Sequence, residues 1–224
     1  MRGVIRYAGR TLPRRALGAG AAVGLLIAGT SRLLEDAFSP WLALNALRAA
    51  ALSFALGLAF LLDDPARHTT ATVPTRRPVR QALRLALVAP FAALWWTAAV
   101  LLVPSELRPP VGAVTLEAGA ACALALAGAA VAIRRSDEPE PGVSAAAGLL
   151  TVAVLAMLLQ PWDLFVTVDD PRWADAHQQW GVVLTAALAG CAMWTREPAR
   201  PQGRGPYRFA APPRGRDQPR RRRG

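Results

Sequence analysis

The chain has 224 residues, 53% of them hydrophobic, and a formal net charge of +11 at pH 7 that is carried by Arg without any Lys. Long apolar runs recur along it in place of the alternation expected of a soluble domain, which excludes an ordinary soluble fold. The Arg residues follow the loops between these runs, which argues against a nucleic-acid partner. We therefore predict an all-α polytopic membrane protein with six transmembrane helices.

The first segment, residues 1–15, is basic and amphipathic. Arg2, Arg6 and Arg10 recur at helical spacing and share one face, with apolar residues on the opposite face. This pattern is typical of a helix that lies in the membrane interface. A signal peptide is the alternative, but the apolar stretch that follows has no small-residue cleavage site, so we expect it to remain as the first span.

Six apolar segments are long enough to cross a bilayer core, which needs about 20 helical residues. Their predicted bounds are 16–34, 41–62, 82–103, 111–133, 143–160 and 179–194. Together they predict a transmembrane domain over residues 16–195. The tail, residues 196–224, is rich in Arg and Pro and has little to bury, so we expect it to be disordered and to contact anionic lipid head groups.

The distribution of Arg predicts the orientation of these spans. The N-terminal segment, the loops after the second and fourth spans and the tail hold most of the Arg residues, whereas the intervening loops hold only Arg32, Arg108 and Arg172. Arg-rich loops stay on the cytoplasmic side, so both termini are expected in the cytoplasm. The use of Arg without Lys and the excess of Ala indicate a GC-rich bacterial genome, which predicts a multi-pass protein of the bacterial plasma membrane.

A charged island at residues 63–84 separates the second span from the third. Its candidate contact residues are Asp63, Asp64, Arg67, Arg76, Arg77 and Arg80. One interpretation is a solvated basic connector, and the other is a docking element for a soluble partner on the cytoplasmic side. The position of the island within the whole pattern of spans favours the docking element.

Two charged residues lie deep inside predicted spans, away from the span ends. Arg48 in the second span and Glu117 in the fourth are each about 10 Å from the outer end, at ~1.5 Å per residue. Charges at such depth are rare unless they are paired, face a cavity or snorkel to the interface. Equal depth predicts that an Arg48–Glu117 ion pair can form, with Asn45 one turn away as a further hydrogen-bond partner. Separate snorkelling of the two side chains is the alternative.

The outer connection at residues 161–179 is acidic and rich in Trp. Asp169, Asp170, Asp175 and His177 are conceivable metal ligands, but their irregular spacing favours a hydrated acidic loop that dips in part into the interface. The chain has no Lys for a Walker P-loop and no nucleophile–base, CxxC or HExxH pattern. We therefore predict no enzymatic activity, no metal and no cofactor.

Two motifs carry a resemblance to a known family, the run FLLDDPARHTTATVPTRRPVRQALRLAL around the island and DPRWADAHQQW before the last span. With them, the sequence resembles the small six-span ABC transporter permeases of GC-rich Gram-positive bacteria, which are relatives of the type-2 ABC exporters. The resemblance implies an interfacial N-terminal helix and a partly re-entrant segment at 161–179. It also implies that residues 63–84 dock into a separately encoded ABC ATPase and that the permease works as a homodimer or heterodimer.

Two other classes of membrane protein remain open at this point. An ion-coupled carrier needs titratable residues deep in its spans, and only Arg48 and Glu117 meet this requirement in part. A structural or regulatory membrane protein without an ATPase partner is the second alternative. A neighbouring gene that encodes a P-loop protein with an ABC signature would favour the permease over both.

Overall fold

The computed structural model describes residues 13–34, 37–63, 77–135, 141–159 and 164–195. These residues form helices joined by turns, without a strand among them, which confirms the predicted all-α class. In chain order the helices are α1 (Arg14–Leu33), α2 (Pro40–Ala59), α3 (Arg77–Leu102), α4 (Val111–Arg135), α5 (Gly142–Leu159) and α6 (Trp173–Thr195). A short 3-10 turn, Phe60–Leu62, continues α2.

Helices α1 to α5 are long and apolar enough to cross a membrane. Helix α6 is not in that group, because its first turns carry polar side chains, and the apolar part begins only after Gln179. The described helices are thus compatible with a multi-pass membrane protein, while the sixth span stays a prediction. The predicted interfacial segment and the tail at 196–224 lie outside the described residues, apart from residues 13–15.

Two helices begin earlier than the hydrophobic pattern indicates. Helix α3 begins at Arg77, so the last part of the predicted island is helical. Helix α6 begins at Trp173, within the predicted outer connection. In both cases the helix continues through polar residues that the apolar criterion excludes, because hydropathy marks the part of a helix suited to lipid and not its ends.

Helices α1 and α2 pack closely because glycines face each other. A Cβ added to Gly20 would lie 2.5 Å from the Ser53 carbonyl oxygen, and one added to Gly57 would lie 2.8 Å from the Ala16 carbonyl oxygen. Small residues at such positions let two membrane helices approach backbone to backbone. The contacts also show that α1 and α2 are antiparallel, since the start of α1 meets the end of α2.

Helix α3 is held against this pair by Trp95. Its ring stacks on Phe54 with a centroid distance of 4.3 Å, and its indole Nε1 donates a hydrogen bond to the Ala21 carbonyl oxygen at 2.9 Å. Gly24 makes room for the indole, because a Cβ there would lie 2.6 Å from the Trp95 ring. Trp95 is therefore a buried anchor with its one polar group satisfied.

Helix α4 connects the remaining helices to α2. Small side chains of α2 and α4 form a buried cluster with Leu149 of α5, and Ala120 of α4 packs with Trp180 of α6. Helix α5 leaves most of its apolar surface uncovered, which suits contact with lipid. Helices α2, α4 and α6 run in one direction and α1, α3 and α5 in the other, so the bundle has a predicted outer end and a predicted cytoplasmic end.

Candidate functional site

Arg48 of α2 and Glu117 of α4 form a bidentate ion pair near the predicted outer end. The Arg48 Nε donates to Glu117 Oε2 at 2.7 Å, and Nη2 donates to Oε1 at 2.8 Å. Parallel N–H···O bonds of this kind are the strongest arrangement for a guanidinium and a carboxylate. The pair joins α2 to α4.

Burial makes this pairing necessary. The Arg48 and Glu117 side chains are 11% and 5% exposed, so neither is solvated by bulk water. A buried charge without a partner is strongly destabilising, and the two residues compensate each other. The structure thus brings together the two residues that equal depth suggested, and the short, buried contact is not the geometry of two side chains that snorkel separately.

Further partners of Arg48 come from the connection between α5 and α6. Nη2 donates to the Val166 carbonyl oxygen at 3.3 Å, and the guanidinium carbon lies 5.5 Å from the centroid of the Phe165 ring. Asn45 was predicted to be a hydrogen-bond partner of Arg48. In the structure its Nδ2 donates to the Trp41 carbonyl oxygen of the same helix, at 2.9 Å. The guanidinium is therefore surrounded by a carboxylate, a carbonyl dipole and an aromatic face.

His177 of α6 completes the site. Its Nε2 lies 3.1 Å from Glu117 Oε1, and its Nδ1 lies 2.8 Å from the Trp173 carbonyl oxygen. The side chain is 11% exposed, and the Trp173 ring covers it at a centroid distance of 4.1 Å. We call Arg48, Glu117 and His177 the Glu117 cluster, because the carboxylate lies against both the guanidinium and the imidazole. It joins α2, α4 and α6.

The sequence interpretation missed His177 as a member of this cluster because it placed the residue in an outer loop with three Asp residues. Among the described residues, no group of three or more His, Cys, Asp or Glu side chains is arranged to hold a metal ion. A usable signal was the spacing of Trp173 and His177, which is that of neighbours on one helical face. It indicated that the helix begins before Gln179.

The described part of the connection before α6, residues 164–172, is held in place at both of its own ends. The Trp180 Nε1 donates to the Leu164 carbonyl oxygen at 3.0 Å, and Phe165 meets the Trp180 ring edge to face at 5.7 Å. Asp170 Oδ1 accepts from the Arg172 main-chain N–H at 2.8 Å. The side-chain hydrogen bonds from Arg172, followed by this main-chain bond, lower the pKa of Asp170. Residues 164–172 therefore cover the Glu117 cluster.

A second polar site lies at the predicted cytoplasmic end. Arg84 of α3 is 7% exposed, and its Nη1 lies 3.4 Å from the Leu61 carbonyl oxygen and 3.2 Å from the Asp63 carbonyl oxygen. The Asp63 carboxylate Oδ1 accepts a hydrogen bond from the Gly142 N–H at the start of α5, at 2.8 Å. We call this set of contacts the Arg84 clasp. It ties together the end of α2, the start of α3 and the start of α5.

Most residues of the predicted coupling loop cannot be placed beside this clasp. Asp64, Arg67 and Arg76 lie outside the described residues, and Arg77 and Arg80 are known only as part of the α3 backbone. Asp63 is the exception, and its carboxylate serves a contact within the chain instead of standing free for a partner. The structure therefore describes the two ends of the loop and not its middle.

The described helices define the chain as an all-helical protein compatible with the multi-pass membrane class. No protein-family model, curated protein or solved structure matches it. The resemblance to ABC transporter permeases thus rests on the short sequence motifs. The Glu117 cluster and the Arg84 clasp are the two polar sites described here that bear on function.

Proposed function

We propose that this chain is the permease subunit of an ABC transporter in a bacterial plasma membrane. It crosses the membrane six times with both termini in the cytoplasm, pairs with a second permease subunit and receives energy from a separately encoded ATPase. The chain itself carries out no chemical step in this proposal. The observation that carries the proposal is the Arg84 clasp, because it holds both ends of the loop that would receive the ATPase.

A coupling element has to transmit movement from a soluble partner to several helices at once. The clasp meets this requirement, since Asp63 and Arg84, the two ends of the 63–84 segment, connect α2, α3 and α5. A displacement of the loop would therefore act on three helices together. The Arg residues of the loop supply positive charge that suits an acidic partner surface.

A second candidate is an ion-coupled carrier, and a specific observation favours it. The sequence offers two charged residues deep inside the spans, Arg48 and Glu117, and the structure adds His177 at 3.1 Å from Glu117. Titratable residues that face one another inside a membrane protein are typical of ion and proton pathways. A structural or regulatory membrane protein has no comparable observation in its favour.

The permease proposal is tested by reversing the charges of the loop. We expect the triple variant Arg76→Glu, Arg77→Glu and Arg80→Glu to lose co-purification of an ATPase that carries an ABC signature, because like charges would oppose docking. The matched control is Arg134→Glu with Arg135→Glu, in the next predicted cytoplasmic loop. Wild-type recovery of the ATPase with the triple variant, in protein of unchanged helical content, would contradict the proposal.

Topology gives an independent test of the six-span arrangement. In a background with Cys122 and Cys191 changed to Ala, a cysteine at Ser105 or Asp170 is expected to react with an impermeant thiol reagent on intact cells. A cysteine at Thr72 is expected to react only after the cells are opened. Labelling of the Thr72 position from outside would reverse the proposed orientation and remove the coupling role of the loop.

A further inference from the structure

We propose that a groove between the start of α1 and the middle of α3 binds an anionic phospholipid of the predicted cytoplasmic leaflet. The lipid phosphate lies at the Arg14 guanidinium, and one acyl chain lies along Leu17 and Gly18 against the Phe91 ring. Binding involves no covalent step. The inference goes beyond the proposed function, because it uses only the packing of α1 against α3 and needs no ATPase.

The size of the groove decides what kind of ligand it can hold. Its volume is about 220 Å³, and its lining residues are Pro13, Arg14, Leu17 and Gly18 of α1 and Phe91 of α3. A site that encloses a whole small molecule usually has a volume of about 300–1,000 Å³. This groove therefore holds only a part of its ligand. An acyl chain whose remainder stays in the bilayer meets that condition, and a soluble molecule bound as a whole does not.

The groove exists because α1 and α3 meet closely only on its outer side. There the Trp95 ring fills the space that Gly24 leaves, and its indole N–H donates to the Ala21 carbonyl oxygen. One turn closer to the predicted cytoplasmic end, a Cβ added to Gly18 would meet nothing within 4 Å. On the opposite wall, Phe91 is 43% exposed although it is a large apolar residue. The gap between the two helices is thus open to the hydrocarbon of the membrane.

The order of polarity along the groove matches the orientation of a phospholipid in this leaflet. The contact between Ala16 and Gly57 places Arg14 about 6 Å further into the membrane than Asp63, where α2 has ended, at ~1.5 Å per residue. An arginine side chain at this depth can reach the head-group region. The apolar part of the lining begins one turn further along α1, toward the middle of the membrane. A head group and its chain would follow the same order.

Charge favours an anion at the cytoplasmic end of the groove. Arg14 is the charged residue of the lining, and both Arg14 and the adjacent Arg15 are exposed. The first turn of α1 carries no acidic residue. A guanidinium binds phosphate oxygens through parallel N–H groups, and basic pockets between membrane helices on the cytoplasmic side bind anionic head groups. The groove therefore combines a phosphate-binding group with an apolar surface for one chain.

The experiment uses the full chain in phosphatidylcholine nanodiscs that contain a small fraction of a phosphatidylglycerol probe with a diazirine in its acyl chain. After irradiation, the labelled peptides are located by mass spectrometry. We expect the peptides that contain Gly18 and Phe91 to be labelled about fivefold more than with the matching phosphatidylcholine probe, because one Arg near an anionic head group favours binding by about that factor. The outer half of α5, which is exposed, is the internal reference and should be labelled equally by both probes.

Two pairs of variants on α1 test the apolar and the charged part separately. Gly18→Leu fills the groove without a clash and should remove most of the label at Phe91, whereas Gly29→Leu adds the same side chain at another open position of α1 and should not. Arg14→Gln should lower the phosphatidylglycerol label about fivefold, to the phosphatidylcholine level. Arg15→Gln is its neighbouring control and should change the label by less than about twofold.

Three results would overturn the proposal. Equal labelling of the groove by the two probes in the wild type would show that bulk lipid enters it without recognition of the head group. Absence of label near Gly18 and Phe91 with both probes would show that a second copy of the chain, or its own residues 1–12, covers the groove. Wild-type labelling in both Gly18→Leu and Arg14→Gln, at unchanged helical content, would show that the lipid binds elsewhere.

Discussion

The two ends of the bundle both bury an arginine, but they bind it with different partners. At the predicted outer end, the Arg48 guanidinium is bound by the carboxylate of Glu117, and His177 approaches the same carboxylate. At the predicted cytoplasmic end, the Arg84 guanidinium contacts the carbonyl oxygens of Leu61 and Asp63. In the first site two side chains pair across helices, whereas the described contacts of the second site each join a side chain to a main-chain group at a helix end.

This difference separates two uses of buried charge in one small bundle. The last carbonyl oxygens of a helix have no hydrogen-bond donor within that helix. A buried guanidinium at a helix end can donate hydrogen bonds to them. A buried carboxylate inside a span is destabilising unless an oppositely charged group is paired with it. The strength of that pairing depends on the charges of the groups around it. We therefore expect removal of one charged partner to cost more stability at the Glu117 cluster than at the Arg84 clasp.

The largest effect is expected for Glu117→Ala. It leaves the Arg48 guanidinium buried without its anion, and breaking a buried pair in this way lowers the free energy of unfolding by about 3–5 kcal/mol. The measurement is unfolding by sodium dodecyl sulfate in mixed micelles, followed by circular dichroism. Glu106→Gln, at an exposed carboxylate of the same end, is the control and should change little.

A smaller effect is expected for Arg84→Met. The methionine keeps much of the buried stem but loses the hydrogen bonds to two carbonyl oxygens, which lowers the free energy of unfolding by about 1.5–3 kcal/mol. Arg135→Met removes an exposed arginine from the same end and should have little effect. If Arg84→Met destabilised the protein more than Glu117→Ala, the contrast between the two ends would be wrong.

The next effect concerns the Asp63 carboxylate. Asp63→Ala removes the acceptor for the Gly142 N–H, and loss of such a helix-start contact lowers the free energy of unfolding by about 1 kcal/mol. Asp63→Asn retains a side-chain oxygen and should recover most of the loss. Equal destabilisation by both variants would show that the negative charge of Asp63, and not the hydrogen bond to α5, is what matters.

The smallest effect is expected at Asp170, outside both sites. Because hydrogen bonds from Arg172 lower the pKa of Asp170 in the folded protein, its contribution is present above the pKa of an unfolded Asp and is lost as pH falls through the lower, folded value. The residue is at the surface, so the change is small. Asp170→Asn should flatten this acid-side dependence slightly, as measured by thermal unfolding at a series of pH values. A steeper dependence would contradict the sign.

Much of the fold follows from the sequence because hydrocarbon length is a strong constraint. The all-helical class and the equal depth of Arg48 and Glu117 could be read from apolar runs and a rise per residue. The start of α6 does not show in the apolar runs, because its first turns carry polar side chains, and only the spacing of Trp173 and His177 indicated it. Missing this start hid the third member of the cluster.

Contacts between helix ends that are far apart in the chain could not be predicted from the sequence, for another reason. Asp63 looked like a contact for a partner because it stands in a charged run, but Gly142 lies far along the chain and only the packing of α5 against α2 brings its N–H to the carboxylate. Arg84 looked like a residue at the edge of the loop, but it is buried because α3 begins earlier than its apolar part.

The connection of α2 to α4 through Arg48 and Glu117 is the central claim, and a double-mutant cycle tests it most directly. Arg48→Gln, Glu117→Gln and the double variant are unfolded in mixed micelles under the same conditions. The double variant is expected to be more stable than the sum of the single losses predicts by about 1.5 kcal/mol or more, because neither charge is then left buried alone. Single losses that add within about 0.5 kcal/mol would show that the two side chains do not depend on each other, and would contradict the claim.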